Sequence, residues 1–109
     1  MGFFSVKGAN VREILPGARQ RVLCGREGKI MMTWYEFDSG TELPVHSHLH
    51  EQVGIIVSGE AMFTVGTEQR LVKDGDGWQI PPNVPHGVRF RRDTAVIETF
   101  HPPREDFLR

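Results

Sequence analysis

The stretch Gly40-Thr41-Glu42-Leu43-Pro44-Val45-His46-Ser47-His48-Leu49-His50-Glu51-Gln52-Val53-Gly54-Ile55-Ile56-Val57-Ser58-Gly59 decides how this chain is read. Turns bound it at both ends, Ser39-Gly40 and Ser58-Gly59, and Val53 to Val57 is a short apolar strand. Three histidines fall within five residues, His46, His48 and His50. Residues two apart along a strand share a face, roughly 6.5–7 Å from each other. His46 and His48 can therefore converge on one ion, with metal–nitrogen bonds of about 2.0–2.1 Å for zinc. Any further ligand must arrive from elsewhere. Gln52, through its carbonyl oxygen, is the local candidate. His86 is the distant one, because it opens a strand straight after the rigid run Pro81-Pro82-Asn83-Val84-Pro85.

Strand and turn signals alternate outward from this stretch to both ends of the chain. Upstream, Val22-Leu23-Cys24 reads as a strand, Gly25 to Gly28 as a hairpin turn, and Ile30 to Phe37 as a long strand with two largely apolar faces. Downstream, strands are expected at Glu60–Val65, Arg70–Val72, Trp78–Ile80, His86–Arg91 and Thr94–His101. Thr67-Glu68-Gln69 and Lys73 to Gly77 make turns between them. Helical period is weak, surfacing only near Ala9–Leu15, and the tail from Pro102 suits a short helical turn. About ten short strands punctuated by 12 Gly and 7 Pro indicate an all-β sandwich or barrel. At 109 residues the chain is expected to be one domain, 1–109.

Composition narrows the function. The net charge is −1 and the densest basic cluster, Arg89, Arg91 and Arg92, suits a solvated face, so no nucleic-acid partner is expected. The N-terminus Met1-Gly2-Phe3-Phe4-Ser5-Val6 lacks the charged and apolar regions of a signal peptide. No apolar run is long enough for a membrane span. A cytoplasmic protein is the expectation. The lone cysteine, Cys24, excludes an intrachain disulfide and is expected to be a buried free thiol.

The spacing Gly40, His46-Ser47-His48, Gln52, Gly59 resembles the first motif of the cupin family. Gly75, Pro81-Pro82-Asn83, His86 resembles the second, and fifteen residues separate the two. The resemblance implies a single jelly-roll barrel holding one divalent transition metal on His46, His48, Gln52 and His86. Zn, Ni, Fe, Mn and Cu all suit such ligands. The family usually has Glu at the position of Gln52, Gly at Asn83 and often Asn at Phe90. A neutral ligand at Gln52 leaves the full ion charge on the site. His50 reads either as a support to a ligand or as solvent-facing. Glu51 reads as a surface carboxylate or a back-up ligand, and His101 as no ligand.

In the last strand Val96, Glu98 and Phe100 share a face. If that face is internal, burial would raise the Glu98 pKa and suit it to general acid/base work; otherwise it is an outward strand residue. The tail Phe100-His101-Pro102-Pro103-Arg104-Glu105-Asp106-Phe107-Leu108, with the pattern His46-Ser47-His48-Leu49-His50-Glu51-Gln52, resembles one small cupin group, the pectin degradation proteins. These convert 4,5-unsaturated uronates from pectin or alginate to open-chain keto forms on three His and one Gln. By that resemblance Glu98 is the proton carrier, Arg104 a clamp for the uronate carboxylate, and Phe100 a face for the sugar ring. The group tends to have Asp where Glu98 stands. Plain alternatives are an Arg104 salt bridge to Glu105 or Asp106 and core packing for Phe100. Two other functions remain open: an oxygen-using cupin with Fe or another redox metal, and a non-catalytic small-molecule binder. The apolar faces of Met31–Phe37 and Phe3-Phe4 suggest a homodimer.

Overall fold

The structure, a computed structural model, describes residues 2–109; Met1, the first residue of the N-terminal stretch and of the expected domain, lies outside the described residues. The described residues form ten strands: β1 Val11–Leu15, β2 Ala18–Cys24, β3 Met31–Phe37, β4 Glu42–His46, β5 Glu51–Ser58, β6 Glu60–Val65, β7 Glu68–Lys73, β8 Gly77–Ile80, β9 His86–Phe90 and β10 Thr94–His101. All pairings are antiparallel. One sheet runs β1-β2-β3-β10-β5-β8 and the other β4-β9-β6-β7. They face each other as a jelly-roll barrel, as expected of an all-β chain.

Alternation builds the interior. Along β3, Met31, Thr33, Tyr35 and Phe37 are buried, while Met32, Trp34 and Glu36 are half-buried on the outer side. Tyr35, Phe37, Ile56, Phe63, Ile80, Val88, Phe90 and Val96 form the core between the sheets. Phe37 of one sheet stacks on Phe90 of the other, with ring centroids 3.9 Å apart. His86 begins β9 and Phe90 ends it, so the histidines and the Phe90 stack lie at opposite ends of that strand.

The structure departs from the sequence reading in three places. Val11–Leu15 is a strand and not a helix, because Val11, Arg12 and Glu13 pair in register with Arg21, Gln20 and Arg19; so short a helix gains little by itself. Glu42–His46 is a separate strand despite Pro44. It lies at the edge of its sheet, where a missing N–H breaks no ladder. Cys24 is exposed and not buried. The pairing of β2 with β3 slips between Val22 and Cys24, which turns the end of β2 outward. The tail does form a short turn, a 3-10 helix at Glu105–Phe107. Among the described residues no helix is long and apolar enough to cross a membrane.

Candidate metal centre

His46 ends β4 and His86 begins β9, and the register sets them opposite each other. His48 is not on the same strand as His46, as the two-residue spacing suggested, but in the loop after it. That loop is held by the second motif: the Asn83 N–H donates to the His48 carbonyl at 2.8 Å. Asn83 itself has φ of 66°, a left-handed conformation that Asn tolerates better than most residues. The three rings gather, with centroids 4.3 Å (His46–His86), 5.0 Å (His48–His86) and 5.7 Å (His46–His48) apart. One potential ligand atom from each lies within 4.8 Å of the others, so the trio could hold a metal ion.

Hydrogen bonds set which nitrogen is free. His46 Nδ1 lies 2.8 Å from the Pro44 carbonyl, His48 Nδ1 3.0 Å from that of His50, and His86 Nδ1 2.9 Å from that of Val84. A carbonyl only accepts, so each Nδ1 carries the proton and each Nε2 keeps its lone pair. Burial, with Arg104 and His86 nearby, lowers the His48 pKa to about 4. Burial likewise lowers that of His86. Both rings are therefore neutral and ready to ligate near pH 7.

Gln52, second residue of β5, is buried at 4% exposure. Its amide nitrogen donates to Glu98 Oε2, which turns its oxygen the other way. Gln52 Oε1 and His48 Nε2 are both buried and find no hydrogen-bond partner among the described residues. Leaving such an acceptor unsatisfied costs about 1–3 kcal/mol. A cation between them would satisfy both, so the donor set fits a divalent transition metal.

Across a cavity of about 200 Å³, lined in part by His46, His86, Gln52, Tyr35, Glu98 and Arg104, stands a second wall. Glu98 faces inward with the buried Val96 and Phe100. Its Oε2 also accepts from Trp78 Nε1 at 3.3 Å. Burial raises its pKa to about 7, although the bonds from Trp78 and Gln52 and the charge of Arg104 pull the other way. Trp78 is held by a stack on Phe63 with centroids 4.2 Å apart, and by Gly54, where a Cβ would lie 2.5 Å from the indole. Neither Trp78 nor Gly54 stood out in the sequence, since only the β5–β8 register sets them together.

The remaining candidates sort by position. Phe100 is buried in the core and lines the cavity, its ring 6.1 Å from that of His48. Arg104 lines the cavity too, but its guanidinium pairs with Asp106 at 2.9 and 3.3 Å and lies over the Phe107 ring at 4.1 Å. Both the site and the salt-bridge readings of Arg104 thus have geometric support. His50 packs edge-on against His48, centroids 5.4 Å apart, and its carbonyl orients the His48 ring. Glu51 alternates with Gln52 onto the outer face, where Gln79 meets it at 3.4 Å, and His101 is exposed.

The family model of the cupin domain matches residues 33–100, more than half the chain. The chain belongs to the cupin family. This cupin is 29% identical over 98 residues to the pectin degradation protein KdgF of Dickeya dadantii, covering 88% of each chain. It is 38% identical over 79 residues to H2HPP isomerase of Bacillus subtilis, a match over 62% of this chain and 34% of that one. Among solved structures, an RmlC-like cupin from Shewanella frigidimarina superposes with a TM-score of 0.92 at 33% identity, covering 98% of this chain and 96% of the other. KdgF from Halomonas sp. gives 0.91 at 27% identity, covering 97% and 99%. The likeness to the pectin degradation group thus extends over nearly the whole cupin.

Proposed function

We propose that this cupin is an enzyme that opens 4,5-unsaturated uronates to linear keto acids. The observation that carries this reading is the Gln52 side chain, which offers its oxygen towards the histidine trio and its nitrogen to Glu98. One residue joins the ion's place to the proton carrier's. The likeness to KdgF, over 88% of both chains in sequence and 97% of this chain in structure, supports the substrate class.

His46, His48, His86 and Gln52 would hold one divalent ion, which when bound supplies Lewis-acid polarisation of substrate oxygens. The reaction is an isomerisation. The anomeric hydroxyl loses its proton, the C1–O5 bond breaks to leave an aldehyde, and the ring oxygen becomes an enol. The enol proton is then replaced by one on C4, giving the ketone at C5. Glu98 is the group that takes and returns the proton, and a pKa near 7 suits both directions at neutral pH. Arg104 would exchange Asp106 for the substrate carboxylate in a bidentate pair. Phe100 walls the sugar's side of the cavity. The cavity, about 200 Å³, has room for a monosaccharide acid.

The test is to incubate the metal-loaded protein with unsaturated galacturonate and follow the conjugated absorbance. Loss faster than the spontaneous rate is expected; no acceleration with metal bound would overturn the reading.

The same proposal takes residues 1–109 as one domain acting as a homodimer. On the outer face of β5, Val53, Ile55 and Val57 are exposed at 50%, 43% and 43%. Apolar rows of this kind mark association surfaces. Light scattering at micromolar concentration should give twice the chain mass, and a monomer mass would remove the dimer.

A further inference from the structure

The inner face of the six-stranded sheet carries one polar row across three strands. Arg12 of β1 lies opposite Gln20 of β2, and Gln20 opposite Tyr35 of β3. Arg12 Nη2 donates to Gln20 Oε1 at 2.7 Å, and Gln20 Nε2 donates to the Tyr35 phenol oxygen at 3.0 Å. Gln20 and Tyr35 are both buried. An amide in a core costs free energy unless its polar ends are matched. Leucine or methionine would fill the same space without that demand, so filling space does not explain the glutamine.

The row has a direction. A guanidinium only donates, so Gln20 must turn its oxygen to Arg12 and its nitrogen to Tyr35. The phenol oxygen then accepts, and its own proton remains to be given onward. Tyr35 lines the cavity together with Glu98, His46 and Gln52. The Thr33 hydroxyl, two residues along the same face of β3, gives its own proton to the Glu98 carbonyl at 3.1 Å. The phenol O–H is a rotor, so it can turn to a ligand oxygen.

We propose that Tyr35 touches the substrate, its hydroxyl donating to an oxygen of the sugar acid in the cavity, with Gln20 and Arg12 as the positioning residues that fix that direction. The inference rests on the sugar-acid reading above and adds a third cavity group to Glu98 and Arg104. Burial, with the charge of Glu98 beside it, holds the phenol pKa well above its ordinary value, so the donor stays protonated at neutral pH.

The test uses metal-loaded wild type, Tyr35→Phe and Gln20→Met. Tyr35→Phe keeps the ring and its stack on Phe37, centroids 5.3 Å apart, and removes only the hydroxyl. Three quantities are read: kcat and KM on unsaturated galacturonate, bound metal with melting temperature, and the Raman doublet of the phenol. That doublet reports donor against acceptor character, and Tyr35 is the sole tyrosine. Tyr35→Phe is expected to lose about tenfold in kcat/KM with metal content unchanged. Gln20→Met should lose part of that and shift the doublet, because the phenol oxygen no longer accepts. Saturated galacturonate should move the wild-type doublet towards a stronger donor. Tyr35→Phe activity within about twofold of a working wild type would overturn the inference alone. A doublet that Gln20→Met leaves unmoved would overturn the positioning role. A wild type without turnover would overturn the sugar-acid reading and this inference with it.

Discussion

The two walls of the cavity are built by different means. On the histidine wall, each ring is fixed by a carbonyl two residues away in the chain: Pro44 for His46, His50 for His48, Val84 for His86. On the facing wall the contacts are long-range. Glu98 meets Trp78 and Gln52 at sequence separations of 20 and 46, and Tyr35 meets Gln20 at 15. On the first wall the local carbonyls aim each ring, and the β4–β9 register with the Asn83–His48 bond brings the rings together. The second exists only when β2, β3, β5, β8 and β10 are all in register. A metal site made the first way and a proton site made the second should fail separately.

The largest separation is expected from the histidines. His48→Ala or His86→Ala should weaken metal binding by more than about 100-fold, since altering partners that merely support metal ligands already costs 10–100-fold. The facing wall should remain folded, as judged by circular dichroism and by melting of the chelated protein. Glu98→Gln should do the reverse, retaining one ion by elemental analysis while losing about 10²–10⁴-fold in kcat.

Acidity distinguishes the walls by sign in metal-free protein. Glu98, raised from 4.5 to about 7, binds its proton more tightly when folded, so its contribution is full below pH ~4.5 and is lost as pH rises through 7. His48, lowered from 6.5 to about 4, does the opposite: its contribution is present above pH ~6.5 and lost as pH falls through 4. The two oppose each other between pH 4.5 and 6.5. The melting temperature of chelated Glu98→Gln should therefore climb more steeply with pH over that window than that of wild type. Parallel curves would show that Glu98 is not desolvated.

Smaller effects test the supports. Gly54→Ala places a Cβ 2.5 Å from the indole of Trp78, and overpacking of this kind costs about 1–3 kcal/mol. Denaturant melting should show that loss, with kcat reduced because the Trp78–Glu98 bond is disturbed. Asn83→Ala puts a less tolerant residue at φ of 66° and should cost about 1 kcal/mol, whereas Asn83→Gly should be close to neutral. If Asn83→Ala also loosens metal binding, the bond from Asn83 N–H to His48 is part of the histidine wall.

The same contrast explains what the sequence made legible. His46, His48, Gln52 and His86 stand at fixed spacings beside glycine and proline turns, so ligand type and position can be read together. The strands between turns were legible for the same reason. Glu98 was ambiguous because alternation in β10 places it on a face without saying which face is internal. Cys24 was misread because a slip in β2–β3 pairing leaves no local mark. Val11–Leu15 showed only a weak helical period because the part of the next strand it pairs with, Ala18-Arg19-Gln20-Arg21, is mostly polar and gave no strand signal. Tyr35 was read only as part of an apolar strand face and Gln20 lay outside the strand read at Val22–Cys24, since their bond follows only from the pairing of β2 with β3.

The central claim is that His46, His48, His86 and Gln52 hold one divalent ion. It is tested most directly by elemental analysis after reconstitution and removal of free metal, on wild type and on a variant with all three histidines changed to alanine. One equivalent per chain in wild type and none in the variant is the expected result. No retained ion in wild type, or equal retention in the variant, would contradict the account.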